Sequence, residues 1–162
     1  MVGRNSSPRG VDRGGNLSGV AYYLFNLVPE DAADGPTPRR LATECLRVRK
    51  WGIDVGEPLS HALAPGDVAL IYLGASERLL IGRAELASAV HVWTPSEAQA
   101  YPGTSHSGVM LAEVEEWEPP VPMEIVLQRI DRSAGARADF QLGVVRITAN
   151  EYETALAVAG GM

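Results

Sequence analysis

The sequence predicts an α/β chain of the α+β kind: a curved mixed or antiparallel sheet that curls toward a small barrel, flanked by helices. Three observations lead there. Short runs of aromatic and β-branched residues recur between Gly, Pro and Asp turn signals. Two of these runs are joined by a hairpin-length connection at residues 74–78. Three other segments repeat their apolar residues at helical spacing, and capping residues precede two of them. The 162 residues suit one domain, and 46% apolar residues suffice for one core.

The elements follow in order. Residues 1–18 hold Arg4, Arg9 and Arg13 among Gly, Ser, Asn and Pro with almost nothing apolar, which predicts a disordered tail before a domain at 19–162. Tyr22 to Val28 reads as a buried strand and residues 29–36 as a loop. Thr37 can cap a helix with Pro38 in its first turn. In that helix Leu41, Ala42, Cys45 and Leu46 face the core and Arg40, Arg47 and Lys50 face away, until it stops near Trp51-Gly52. Ala64-Pro65-Gly66-Asp67 is turn chemistry before a second strand at Val68–Leu73. A third strand at Leu79–Val90 turns Ala84 and Leu86 inward and Arg83 and Glu85 outward. A loop at 92–106 holds a helical turn near 96–100. A fourth strand at Gly108–Trp117 ends at Pro119-Pro120. A short helix at Met123–Ile130, a loop at 133–138 and a last strand at Val144–Ile147 follow. Thr148 and Glu151 then form a capping box for a final helix ending at Gly160-Gly161.

The formal net charge of −6, from 14 basic and 20 acidic residues, argues against a general nucleic-acid binder. The charges are unevenly spread, however. Arg39, Arg40, Arg47, Arg49 and Lys50 share one segment with a single acid, Glu44, while Glu113, Glu115, Glu116 and Glu118 form an acidic run. This is either a polarised surface or simply two solvated faces. Cys45 is the sole cysteine, the first residues lack an apolar signal-peptide core, and no apolar run reaches membrane-spanning length. These features place the expected chain in the cytoplasm, away from membranes.

Catalytic motifs are wanting. His61, His91 and His106 stand far apart with no Cys or His at ligand spacing, so no metal is expected. The segment 103–108 approaches a nucleophile elbow but lacks the glycine required at position 107. No glycine-rich loop has phosphate-binding spacing, so no cofactor is expected either. The chain therefore reads as a binding module and not an enzyme. The remaining signals are aromatic. Trp51 precedes a glycine after the basic helix, Tyr72 lies in the second strand and Trp93 at the end of the third. A tryptophan flanked by Arg49 and Lys50 suits stacking on a base beside its phosphates. The alternative is that all three are core or core-edge aromatics.

Several stretches together resemble the EVE domain, a PUA-like fold related to YTH domains. They are Tyr22-Tyr23-Leu24-Phe25-Asn26, Arg49-Lys50-Trp51-Gly52-Ile53, residues 63–72 around Pro65-Gly66-Asp67, Ile81-Gly82-Arg83-Ala84-Glu85-Leu86, and Val144 to Thr148 with Glu151-Tyr152. The resemblance spans about residues 20–160. It implies a barrel-like sheet and a pocket for a flipped, modified base. By the same resemblance Trp51 would be a cage wall, partly exposed, with Trp93 a second wall. Gly52 and Ile53 would lend backbone contacts, Asn26 would read the base edge, and Tyr72 and Gly74 would line the pocket. Arg40, Arg47, Arg49 and Lys50 would contact phosphate at its mouth. The expected function is a non-catalytic reader of a modified base in DNA or RNA. The alternatives are a small-molecule or nucleotide-metabolite binder using the same pocket, and an interaction module working with partner proteins in a larger assembly.

Overall fold

Residues 22–26 and 68–73 carry apolar side chains on both faces, and strands of that kind belong in the middle of a sheet. The computed structural model places them there. It describes residues 19–27, 37–74, 77–130 and 143–161. The expected tail at 1–18 and the loops expected at 29–36 and 133–138 lie outside the described residues, as does Val28. β1 (Tyr22–Asn26) and β3 (Val68–Leu73) run parallel, in register from Tyr22 opposite Val68 to Asn26 opposite Tyr72.

A parallel pair needs a crossover, and α1 (Pro38–Val48) lies within it. The Thr37 hydroxyl accepts from the Arg40 N–H at 3.2 Å to cap its start. Its apolar stripe of Leu41, Ala42, Cys45 and Leu46 is buried. The helix ends earlier than expected, at Val48, with Arg49 in the left-handed region at φ 61°. That reversal sends Lys50–Gly52 into a short strand, β2, antiparallel to β6 (Ser107–Pro122). Trp51 is therefore a strand residue and not a loop residue. It is 3% exposed, and its ring stacks on Phe25 with centroids 6.2 Å apart. The partial exposure expected of it is corrected: β2 turns the indole into the core beside α1.

The turn before β3 is set by Gly66 at φ 91° and by Asp67, fully buried, whose carboxylate accepts from the N–H groups of Ala64 and Ala21. It thus ties the turn to the start of β1. β4 (Leu79–Leu86) pairs antiparallel with β3 and with β6. It stops four residues short of Val90, and β5 (His91–Val92) forms separately against β6. β6 runs on through Pro119-Pro120, where a strand end was expected. Its ladder with β4 passes from Glu116 to Val121 with a shift in register, so Trp117–Pro120 bulge out and the prolines need no N–H for pairing.

The helical turn expected near 96–100 is α2 (Pro95–Ala100), opened by a Thr94–Glu97 capping box. α3 (Met123–Arg129) and α4 (Ala149–Gly161) follow, the latter behind the expected Thr148–Glu151 box at 2.8 and 3.0 Å. β7 (Val144–Ile147) pairs antiparallel with β1. The strand order is β2-β6-β4-β3-β1-β7, with β5 also on β6.

The sheet is mixed and curls into a half-barrel. One core fills its α1 side, around Tyr23, Phe25, Leu46, Trp51, Ile71 and Leu86. The other lies on the α3–α4 side, around Leu24, Leu70, Tyr72, Leu80, Leu127 and Tyr152. No described helix is long and apolar enough to cross a membrane.

Candidate functional site: a cleft at the open seam

A sheet that curls without closing leaves a seam between its terminal strands. Here those strands are β2 and β7, and both border one cleft of about 510 Å³. That size is in the range of ligand clefts, roughly 300–1,000 Å³. One side is Trp51, Gly52 and Ile53 with the following turn, Asp54, Val55 and Glu57. The other is Gly143 and Val144 at the start of β7, with Asn26 and Leu27 leaving β1. Tyr101, the Thr104–Ser107 segment and Val92 also line it among the described residues.

Four sequence-predicted residues are thus brought together: Asn26, Trp51, Gly52 and Ile53. Asn26 is 9% exposed, and its carboxamide oxygen accepts from the Gly74 N–H at 3.0 Å. Gly74 does not border the cleft. It holds Asn26, and a Cβ there would fall 2.7 Å from the Asn26 oxygen. Ile53 contributes a side of the cleft, but its N–H already donates to the Ser107 carbonyl at 2.9 Å. Its own carbonyl accepts from the Ser107 hydroxyl at 2.7 Å. Gly52 lies under Tyr101: a Cβ there would collide with the phenol oxygen and sit 2.8 Å from Ser105 Cβ.

The other aromatics stand elsewhere. Tyr72, 5% exposed, packs into the α3–α4 core, where burial pushes its phenol above the usual value. Trp93 is buried one layer behind the cleft. Its indole N–H donates to the Ser105 carbonyl at 3.1 Å and its ring leans on Tyr101, centroids 5.2 Å apart. It braces the 101–107 segment without lining the cleft.

The cations are also elsewhere. Arg40, Arg47, Arg49 and Lys50 are absent from the cleft lining. Arg47 and Arg49 border a shallower depression with Thr43, Leu46, Val114 and Glu116. Arg47 pairs with Glu44 at 2.6 Å, and the Arg49 guanidinium donates to the Ala112 carbonyl. The four cations expected at the mouth are thus not among the described residues that line the cleft.

Sequence reasoning missed Asp54, Val55, Glu57, Val92, Tyr101 and the 104–107 segment. Burial raises the Glu57 carboxyl above its ordinary value, and the neighbouring Asp54 charge adds to the effect. Val55 and Val92 are 49% and 66% exposed, the exposed large hydrophobics among the described residues. Both border the cleft. Exposed apolar side chains gathered at a concave site are what a binding mouth requires. No sequence periodicity marks either one.

Solved structures share this architecture. A protein from Leishmania major is 16% identical with a TM-score of 0.59, over 88% of this chain and 96% of its own. Human THYN1, solved in complex with DNA containing 5-methylcytosine, is 14% identical with a TM-score of 0.56, over 86% and 97%. An ASCH protein from Zymomonas mobilis is 11% identical with a TM-score of 0.52, over 85% and 95%. The chain has the PUA-like, EVE-type fold that its sequence resembles. No family model matches the sequence, and no curated protein does.

Proposed function

We propose that this protein binds a modified nucleobase, extruded from a DNA or RNA strand, in the cleft between β2 and β7, and performs no chemistry on it. The observation that carries this reading is the cleft itself. It has the volume for a base, apolar lips at Val55 and Val92, the Tyr101 phenol on one side and the anchored Asn26 carboxamide at its end. A flipped base needs apolar contact on its faces and hydrogen bonds along its edge, and the cleft sets apolar lips beside polar side chains. The likeness in fold to THYN1, whose structure holds 5-methylcytosine DNA, supports the same reading.

A second reading has its own support. Asp54 and Glu57 border the cleft while the α1 cations do not, which favours an uncharged ligand such as a free nucleoside over a phosphodiester. The test is equilibrium binding of short oligonucleotides carrying modified cytosines or adenines, alongside the matching free nucleosides. Asn26→Ala is expected to weaken binding of the preferred base by about tenfold, the worth of one hydrogen bond in a desolvated site. A strand reader binds the oligonucleotide more tightly than the nucleoside. Equal affinities favour the metabolite reading, and no binding of either sinks both.

A further inference from the structure

Most polar side chains of the cleft are already committed within the fold. The Asn26 oxygen accepts from Gly74, and Asp54 Oδ1 accepts from the Gly56 N–H at 2.9 Å. Ser105 Oγ donates to the Ser107 carbonyl and Ser107 Oγ to the Ile53 carbonyl, each at 2.7 Å. Glu57 differs. Its backbone is fixed, with its N–H donating to the Asp54 carbonyl and its carbonyl accepting from the Ser60 N–H, both at 2.9 Å. Its carboxylate has no hydrogen bond or ion pair among the described residues. That carboxylate reaches across to the bare backbone of Gly143, where a Cβ would lie 2.9 Å from Oε2. It therefore stands at the seam, half-buried, between the two terminal strands.

We propose that Glu57 is the residue that selects among bases, and that the base it selects presents an exocyclic amino group: a cytosine-type or adenine-type base and not a uracil or thymine. This rests on the cleft being a base pocket. An ionised carboxylate accepts hydrogen bonds and donates none. The N4 amino group of cytosine and the N6 amino group of adenine donate, whereas O4 of uracil and thymine accepts. With the exocyclic position of the base at the carboxylate, a keto oxygen there would set two acceptors face to face, which discriminates by penalty as well as by attraction. Burial, and after it the Asp54 charge, raises the Glu57 carboxyl above its ordinary value, in keeping with its half-buried place among the residues of the cleft.

The test compares short single-stranded oligonucleotides with one central 5-methylcytosine, N6-methyladenine or thymine, bound by the wild-type protein, Glu57→Gln and Glu57→Ala. The 5-methylcytosine and thymine probes keep the methyl group and differ at the amino or keto edge. The wild type is expected to prefer the better amino-bearing probe over thymine by about tenfold or more, the worth of one hydrogen bond to a charged group. Glu57→Gln, whose amide can donate to O4, is expected to bring the ratio within about threefold by losing on one side and gaining on the other. Glu57→Ala lowers the ratio by loss alone and serves if the glutamine variant fails to fold. A wild-type preference that persists unchanged in a folded variant, or a wild-type preference for thymine, overturns the role of Glu57 and leaves the base pocket standing. A wild-type protein that binds none of the three fails the base-pocket reading itself.

Discussion

Trp51 shows how one residue type serves two ends. The sequence presents a tryptophan beside a glycine after a run of cations, which suits an exposed stacking platform. In the fold its ring is buried against Phe25 while the residue borders the cleft. Trp51→Ala is therefore expected to destabilise the protein by about 3–5 kcal/mol through lost burial and a cavity. Chemical denaturation reads this directly, and a loss under about 1 kcal/mol would show the ring to be dispensable to the core. Glu57 behaves oppositely. Its carboxyl lies above the ordinary value of 4.5 in the folded protein. The folded state therefore holds that proton more firmly than the unfolded chain, and stability falls as pH rises from there through the raised value. Glu57→Gln removes this cost, so its melting temperature at neutral pH should equal or exceed that of the wild type. A marked drop would mean that the carboxylate has a structural partner.

At the scale of elements, what was legible in the sequence is what short range dictates. Thr37 and Pro38 open α1, and Thr148 and Glu151 open α4, because a cap bonds to backbone a few residues away. Thr148→Ala should cost about 1 kcal/mol, measurable by denaturant titration. The strands β2 and β5 were not legible, being three and two residues long and defined only by pairing with a distant β6. Pro119 and Pro120 misled for the same reason: whether a proline ends a strand depends on whether its neighbours need its N–H, and at a bulge they do not.

The junction of β5 and α2 also titrates. His91 Nε2 lies 3.0 Å from Glu97 Oε1. The Ala89 carbonyl, and after it Glu97, raises the imidazole above 6.5, while the Thr94 N–H, and after it His91, lowers the Glu97 carboxyl. The histidine contribution is fully present below pH 6.5 and is lost as pH rises through the raised value. The glutamate contribution is present above its ordinary value and is lost as pH falls through the lowered one. The pair is thus strongest in mild acid, between the two. His91→Gln should shrink the change in stability from mild acid to neutral pH, and an unchanged pH profile would remove the pair from it.

For the whole molecule, the half-barrel explains the site better than any single motif does. Glycines and prolines marked the turns, and apolar runs marked β1, β3 and β7. That β2 and β7 would face each other across an unclosed seam depends on the strand order, which no local pattern encodes. For the same reason the site residues split. Asn26, Trp51, Gly52 and Ile53 were legible through a resemblance that carries topology with it, while Val55 and Glu57 after β2, Val92 in β5 and Tyr101 at the end of α2 meet only as a product of the fold.

The charges divide along the same line. A rim of four phosphate contacts would give a log–log salt slope of about 3. With Arg40, Arg47, Arg49 and Lys50 off the cleft, binding of a single-stranded oligonucleotide should show a slope of about 1 or less, read from titrations at several salt concentrations. A steep slope would restore the cationic face of α1 to the binding surface.

The most direct test of the cleft is a titration of the ¹⁵N-labelled protein with a single-stranded oligonucleotide carrying one 5-methylcytosine, followed by amide chemical shifts. The expected shifts cluster at Asn26, Gly52 to Glu57, Tyr101 to Ser107 and Gly143-Val144, and saturate with the bound fraction. Shifts confined to Arg47, Arg49 and Glu116 around the second depression would contradict a base-binding seam between β2 and β7.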